Sequence, residues 1–274
     1  MEKSKIRKPV VSGQFYPASA GEITRLIEEF LVSAPEKDDC IACMLPHAGY
    51  IYSGRVAVET VSRVNIKDTV ILLGPNHTGN GSAFSINSEG AWETPLGSVA
   101  INTALAQEII KQGRQYFQED SLAHLYEHSL EVELPILQYF KKTFQIVPVT
   151  VMSDNPAVLK EAGKAIAAAV KNSGMQPSVL IVASSDMTHY EPEEQAKKKD
   201  HRAIEAILAL DEDRLTEEVE SLNISMCGYA PVYMMLVSAK LLGAKKGELI
   251  KYQTSGDSTG DTSSVVGYAG ITIH

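Results

Sequence analysis

The sequence lacks an apolar stretch of the roughly 18 to 20 uncharged residues that a bilayer-spanning helix needs. Its first residues also lack the apolar core of a signal peptide. A basic footprint is absent too, because 34 acidic residues outnumber 25 lysines and arginines and give a formal charge of -9. Such a charge argues against a dedicated nucleic-acid binder. We therefore expect a cytoplasmic protein that binds neither membranes nor nucleic acids.

Cysteine is scarce, and its odd count of 3 fits a reducing compartment better than a disulfide framework. Cys40 and Cys43 form a C-x-x-C pair, which can indicate redox chemistry. The pair lies at the start of an apolar run and no helix follows it to stabilise a thiolate, so we disfavour that interpretation.

Repeats, low-complexity tracts and an evident linker are also missing, so a single domain over residues 1–274 is the simplest organisation. Short apolar runs alternate with helical patterns, which predicts an α/β fold with a central, mostly parallel or mixed sheet flanked by helices. The predicted strands are 41–45, 70–73, 83–87, 98–101, 146–151, 179–182, 249–253 and 264–272. The predicted helices are 23–31 with Ser19 as cap, 55–64 after a loop at 50–54, 103–110, 130–140, 156–171, 193–210, 212–222 and 232–242.

Three of the apolar runs end at loops that carry a histidine. Run 41–45 leads to His47, run 70–73 leads to His77, and run 179–182 is followed by Asp186 and His189. In parallel sheets, ligands bind at the carboxyl ends of the strands, so these loops predict one site. A single histidine after a strand is more often an ordinary loop residue, but three in equivalent positions are harder to dismiss.

Cys227 is the most informative thiol, because Gly228 and Pro231 place it at or just before the start of a helix. The positive end of a helix favours a thiolate, which a soft metal site or a covalent mechanism would need. The alternative is a buried cysteine that packs as a small apolar residue.

Other ionisable residues have weaker context. Asp186 and His189 share one loop and could supply a carboxylate and a general base, although Asp186 could also cap the following turn. His128 has acidic neighbours that could orient or charge it, or it could lie on a solvated face. We expect His124, His201 and His274 on the surface, and the basic residues Lys3, Lys5, Arg7 and Lys8 in a solvated terminus.

Six motifs occur in a recognisable order, and together they resemble the Memo family. They are LPHAGY at 45–50, GPNH at 74–77, WETPLG at 92–97, EHSLE at 127–131, SSDMTH at 184–189 and CG at 227–228. The resemblance extends from VSGQFYP at 11–17 to the last strand, and so covers essentially the whole chain. It implies a fold similar to that of the class III extradiol dioxygenases, in which two histidines and a glutamate hold Fe(II).

The resemblance also implies roles for single residues. His47 and His77 match the two histidine ligands, and Cys227 takes the position of the third ligand. His189 matches the histidine that serves as acid and base, while Asp186 and His128 line the same pocket. The expected cofactor is Fe(II), with copper as the alternative, because a thiolate in place of a carboxylate favours a more thiophilic ion. The resemblance further implies a functional link to a radical-SAM protein.

Three functions remain open from the sequence. The first is a metal-dependent redox protein or oxygenase-like enzyme of undefined reaction that acts on a small molecule or a peptide. The second is a hydrolase with Cys227 as nucleophile, His189 as base and Asp186 as orienting carboxylate. The third is a binding module that has kept an enzyme's pocket without turnover.

Overall fold

The computed structural model describes residues 6–32 and 35–274. The strands are β1 Ile6–Arg7, β2 Ala42–Leu45, β3 Thr69–Pro75, β4 Phe84–Ile86, β5 Ala91–Thr94, β6 Gly97–Ile101, β7 Gln118–Glu119, β8 Gln145–Val151, β9 Val179–Ser184, β10 His189–Glu191, β11 Gly247–Thr254 and β12 Val265–Ile273. The α-helices are α1 Ala20–Phe30, α2 Tyr50–Ser62, α3 Thr103–Gln112, α4 Glu133–Phe140, α5 Pro156–Asn172, α6 Glu193–Leu208, α7 Glu212–Leu222, α8 Tyr229–Leu241 and α9 Gly256–Thr259.

The strands form one mixed sheet in the order β1-β5-β6-β8-β3-β9-β2-β12-β10, with β11 paired to β12 and β4 paired to β8. The five strands from β6 to β2 in this order run parallel. The antiparallel pairs β5 with β6 and β2 with β12 flank this parallel centre. The predicted α/β fold with a mixed sheet is therefore confirmed.

Strand β3 shows why the central runs are continuously apolar. Val70 and Leu72 pack into a core with α1, α2 and α4, whereas Ile71 and Leu73 pack into a second core with α3, α5 and α8. Because successive side chains of a strand point to opposite faces, a sheet covered on both sides needs apolar residues at every position.

The start of α1 follows the predicted signal, and α5 begins with a comparable cap. Ser19 accepts a hydrogen bond from the main-chain N–H of Glu22, and Asn155 caps α5 with Pro156 as its first residue. Pro135 lies in the first turn of α4, where it breaks no helical hydrogen bond. Across the described ranges, no helix has both the length and the apolarity to cross a membrane.

The prediction of a solvated basic terminus is wrong for Arg7. Its side chain is buried, donates to Glu131 at 2.7 Å, and lies over the Trp92 ring at 4.2 Å from the centroid. Lys8, in contrast, keeps 70% of its side chain exposed. Lys3 and Lys5 lie outside the described residues. Local composition could not reveal that a carboxylate 124 positions away in the chain would bury Arg7.

His124 is a second correction, because its ring is fully buried and not on the surface. Its Nε2 lies 3.1 Å from the main-chain oxygen of Ser85, and the ring contacts Trp92 edge to face. Burial, followed by the charge of Arg7, lowers the pKa of His124 to about 4. His201 is exposed, as predicted.

The buried Arg7–Glu131 pair predicts a large loss of stability for Arg7→Met. This substitution leaves the Glu131 carboxylate buried without its cation, and we expect the free energy of unfolding to fall by about 3 kcal/mol. Urea denaturation followed by circular dichroism measures the change.

Lys8→Met is the matched control, because Lys8 is the next residue and pairs with Glu93 at an exposed position. Exposed ion pairs contribute little, so this variant should unfold within about 0.5 kcal/mol of the wild type. Equal losses for both variants would contradict the special role of the buried pair.

Candidate metal centre

A cleft of about 610 Å³ opens at the carboxyl ends of β2, β3 and β9. Neighbouring parallel strands end at the same edge of a sheet, so the loops that follow them meet there. The ionisable side chains His47, His77, His128, Asp186 and His189 line this cleft, together with the aromatic residues Phe15, Tyr52, Tyr190 and Tyr268. The structure thus brings the three histidine loops of the sequence to one place.

His47 lies deepest in the cleft, with 2% of its surface exposed. Pairing of Leu45 with Ser184 aligns the ends of β2 and β9, and His47 Nδ1 lies 2.8 Å from Ser184 Oγ. On the other side of the ring, Nε2 lies 3.3 Å from Cys227 Sγ. Burial, followed by the neighbouring histidines, lowers the pKa of His47 well below its ordinary value. The imidazole is therefore neutral, the form that binds metals.

His77 is held by the buried carboxylate of Glu127. Its Nδ1 lies 2.9 Å from one carboxylate oxygen, and its main-chain N–H donates to the other oxygen. Burial alone would raise the pKa of Glu127, but the bonds from His77 and from the N–H of Ser129 outweigh it and lower the pKa to about 2. An ionised carboxylate on Nδ1 leaves Nε2 as the ligand atom, as in many metal sites.

His128 completes a group of three histidines. Its ring stacks on His77 with the centroids 4.7 Å apart and lies 5.6 Å from that of His47. One nitrogen from each of the three rings lies within 4.8 Å of the others, close enough to hold an ion. Burial lowers the pKa of His128 although the charge of Glu127 opposes this shift, so His128 is also neutral near pH 7.

Asp186 binds the loop after β2. Its Oδ1 accepts the main-chain N–H of His47 at 2.8 Å and that of Ala48 at 3.3 Å. Its carboxylate thus binds the loop after β2, whereas a cap of the following turn was the alternative expectation. Burial raises the pKa of Asp186 to about 6, although the two main-chain bonds oppose that shift. Asp186 and Cys227 form a second ligand-capable group with His47, again within 4.8 Å.

Cys227 reaches this group because the next residue is glycine. A Cβ atom at Gly228 would lie 2.3 Å from the main-chain oxygen of Ser184, so a larger residue would push the loop away from β9. We expected the start of α8 to stabilise a thiolate at Cys227, but burial and a neighbouring carboxylate have the larger, opposite effect. Burial, reinforced by the Asp186 carboxylate, raises the pKa of the Cys227 thiol, so without a metal the sulfur is protonated at pH 7.

His189 has its Nδ1 committed to the main chain. That nitrogen lies 2.7 Å from the oxygen of Met187 and 2.9 Å from that of Ser225. Carbonyl oxygens only accept hydrogen bonds, so Nδ1 carries the proton and Nε2 is left for the cleft. The next residue, Tyr190, is 78% exposed and has a φ of 59°, a left-handed conformation that is rare for bulky residues.

The predicted ligands thus divide between two groups that share His47. His77 joins His47 and His128, whereas Cys227 joins His47 and Asp186. His128 and Asp186, predicted as catalytic, are therefore also placed to bind an ion. The individual roles of these residues stay predictions.

Sequence reasoning missed two supporting residues. Glu127 was noted only as an acidic neighbour of His128, and Ser184 only as part of the SSDMTH motif. A carboxylate adjacent to a histidine of the predicted pocket is a usable signal, because carboxylates often orient metal-binding imidazoles. No local signal identifies Ser184 as the partner of His47, because they are 137 positions apart.

Comparisons with known proteins reveal similarity to one family and to one solved fold. The model of the Memo-like protein family matches residues 7–272. A MEMO1 family protein of Aquifex aeolicus is 44% identical, covering 97% of this chain and 98% of that protein. A MEMO1 family protein of Methanopyrus kandleri is 43% identical with the same coverage. The crystal structure of an uncharacterized protein from Escherichia coli K12 shares the fold, with a TM-score of 0.56, 13% identity and coverage of 84% of this chain and 98% of that one.

The depressed pKa of Glu127 predicts an acid-sensitive contribution to stability. A carboxylate with a pKa of about 2 in the folded protein and an ordinary pKa of 4.5 stabilises the fold above pH 4.5 and loses that effect as the pH falls towards 2. The full effect is about 3 kcal/mol. We expect Glu127→Gln to remove this part of the pH dependence.

The measurement is urea unfolding at pH 5 and pH 2.5 with a chelator present. Glu248→Gln, at an exposed position of β11, is the control and should follow the wild type. If Glu127→Gln lost as much stability between the two pH values as the wild type, protonation of the buried Glu127 carboxylate would not be the cause.

Proposed function

The chain belongs to the Memo-like protein family, and we propose that it is a metal-dependent redox protein whose ion is bound at the carboxyl ends of β2 and β3. The observation that carries the proposal is the buried, neutral His47, which two ligand-capable groups share. Histidine, cysteine and aspartate side chains that converge within 4.8 Å leave open positions for a substrate, and this is typical of catalytic sites.

The donors fit a first-row transition metal. Imidazole suits iron and copper, and a thiolate favours the softer states of both. We propose His47, His77 and Cys227 as the ligands, with Fe(II) as the ion and copper as the alternative. Such an ion, when bound, supplies electron transfer and the activation of oxygen.

The remaining residues of the cleft supply positioning and proton transfer. Nε2 of His189 is the nitrogen left to accept or donate a proton, because Nδ1 is held by two carbonyl oxygens. Asp186, with a pKa of about 6, changes its protonation close to neutral pH. The aromatic side chains at the mouth suit a small molecule or a peptide side chain with an apolar or planar part.

The hydrolase alternative finds less support in the geometry. The ring atom beside Cys227 Sγ is Nε2 of His47, whereas the Nδ1 contacts of His189 are to main-chain carbonyl oxygens. The thiol of Cys227 is neutral because burial raises its pKa. A nucleophilic cysteine normally has the opposite shift.

Metal content tests the proposed function. Protein prepared without oxygen and without a metal-scavenging tag should contain close to one iron or copper per chain. His47→Ala should abolish binding, because His47 belongs to both groups, and Cys227→Ser should remove or strongly weaken it. Elemental analysis by mass spectrometry measures the ratio.

Two further variants separate the groups, and His201→Ala is the control at an exposed position. His128→Ala weakens binding if the three histidines hold the ion, whereas Asp186→Asn weakens it if the second group does. Metal content that is unaffected by both His47→Ala and Cys227→Ser would refute the proposal and favour a binding module.

Alkylation of Cys227 separates the metal protein from the hydrolase. In chelated protein at pH 6, we expect iodoacetamide to react with Cys227 more slowly than with free cysteine, because the raised pKa keeps the thiol protonated. Mass spectrometry of the peptide that contains Cys227 gives the rate, with Cys227→Ser as the blank. Rapid stoichiometric alkylation at a rate that chelators do not change would support the hydrolase with Cys227 as nucleophile instead.

A further inference from the structure

Behind the cleft, at the start of α4, lies a buried carboxyl group that does not reach the site. Glu133 has no exposed surface, and its Oε1 lies 2.7 Å from Ser184 Oγ. Its Oε2 has no hydrogen-bond partner among the described residues. A buried acid with a single bond is costly, particularly if ionised, so its presence calls for an explanation.

The hydroxyl group of Ser184 has three neighbours and only one hydrogen. Its Oγ lies 2.9 Å from the main-chain oxygen of Ser129, 2.7 Å from Glu133 Oε1 and 2.8 Å from His47 Nδ1. The Ser129 oxygen can only accept, so it takes the one proton of Ser184. The two lone pairs of Ser184 then accept from the other neighbours, which requires a proton on Glu133 and a proton on His47 Nδ1.

We propose that Ser184 is a positioning residue that, with Glu133 as a neutral acid, fixes His47 in the tautomer protonated on Nδ1 and directs the bare Nε2 at Cys227. The purpose of this arrangement rests on the proposed metal function, since Nε2 must be bare to bind an ion. The tautomer itself exists without a metal and can be observed separately.

The opposite tautomer is disfavoured by the same three contacts. If Nδ1 of His47 were bare, it would take the proton of Ser184 and leave two oxygen acceptors facing each other at 2.9 Å. An ionised Glu133 would create the same conflict. Burial raises the pKa of Glu133 well above its ordinary value, which agrees with the neutral acid.

The direct test is nuclear magnetic resonance of metal-free protein labelled with ¹⁵N-histidine at pH 7. Two-bond proton–nitrogen correlations distinguish the tautomers, and the His47→Gln variant identifies the signals of His47. We expect the wild type to carry the proton on Nδ1. An infrared carbonyl band of a protonated acid that disappears in Glu133→Gln would show the neutral state of Glu133.

The variants connect the tautomer to metal binding, with Zn²⁺ as the probe in competition with a chelating dye. Ser184→Ala should change the tautomer signature and lower the Zn²⁺ affinity by about 10- to 100-fold. Ser238→Ala removes an equally buried hydroxyl from α8, away from the cleft, and should change neither. Glu133→Gln should keep both the tautomer of His47 and the Zn²⁺ affinity, because an amide N–H can also donate to Ser184.

A proton on Nε2 of His47 in the wild type would overturn the inference, as would an ionised Glu133. So would a Ser184→Ala variant with unchanged tautomer and affinity. If Ser184→Ala fails to fold, the tautomer of His47 and the infrared band of Glu133 in the wild type still test the inference. A wild type that has the Nδ1 proton but binds no metal supports this inference and contradicts the proposed function.

Discussion

The cleft depends on one constraint, which is that the Nδ1 atom of each key histidine is already committed. Ser184 holds Nδ1 of His47, Glu127 holds that of His77, and the oxygens of Met187 and Ser225 hold that of His189. A neutral imidazole has one donor and one acceptor nitrogen, so fixing the first determines the second. Three Nε2 atoms are thereby left for an ion or a substrate at the same edge of the sheet.

The contact between Glu127 and His77 is stabilised by residues that lie outside the cleft. The Arg7 guanidinium donates to the main-chain oxygen of Glu127 and to the Glu131 carboxylate, and Glu131 also accepts from the hydroxyl of Tyr16. The strand at the sheet edge therefore fixes the loop that orients His77. This support explains why a buried, costly ion pair lies some distance from the site.

The sequence was sufficient for the parts of the fold that depend on local pattern. Apolar runs predicted the central strands, and the rule for parallel sheets predicted that His47, His77 and the loop of His189 would meet. Prediction was poorer wherever a contact between residues distant in the chain determines whether a side chain is buried. Arg7 and His124 were expected in solvent, yet partners distant in the chain bury them.

The same limit applies to protonation states. The start of α8 suggested a thiolate at Cys227, but burial and the Asp186 carboxylate favour the thiol. Ser184 and Glu127 were overlooked as orienting residues because nothing near His47 or His77 in the sequence marks them. Composition and spacing describe a residue's neighbours along the chain, whereas a pKa or a tautomer depends on neighbours in space.

The protonation states of the cleft residues determine how a cation can bind there. With His47 and His128 neutral and Cys227 protonated, the negative charge beside these residues at pH 7 lies on the carboxylates of Glu127 and Asp186. A cation can use the sulfur only if the thiol proton leaves, so binding must release a proton and strengthen as the pH rises. The positive charge of a bound ion would favour the thiolate of Cys227 over the thiol. In the proposed function, Cys227 is therefore a thiolate only in the metal-bound protein.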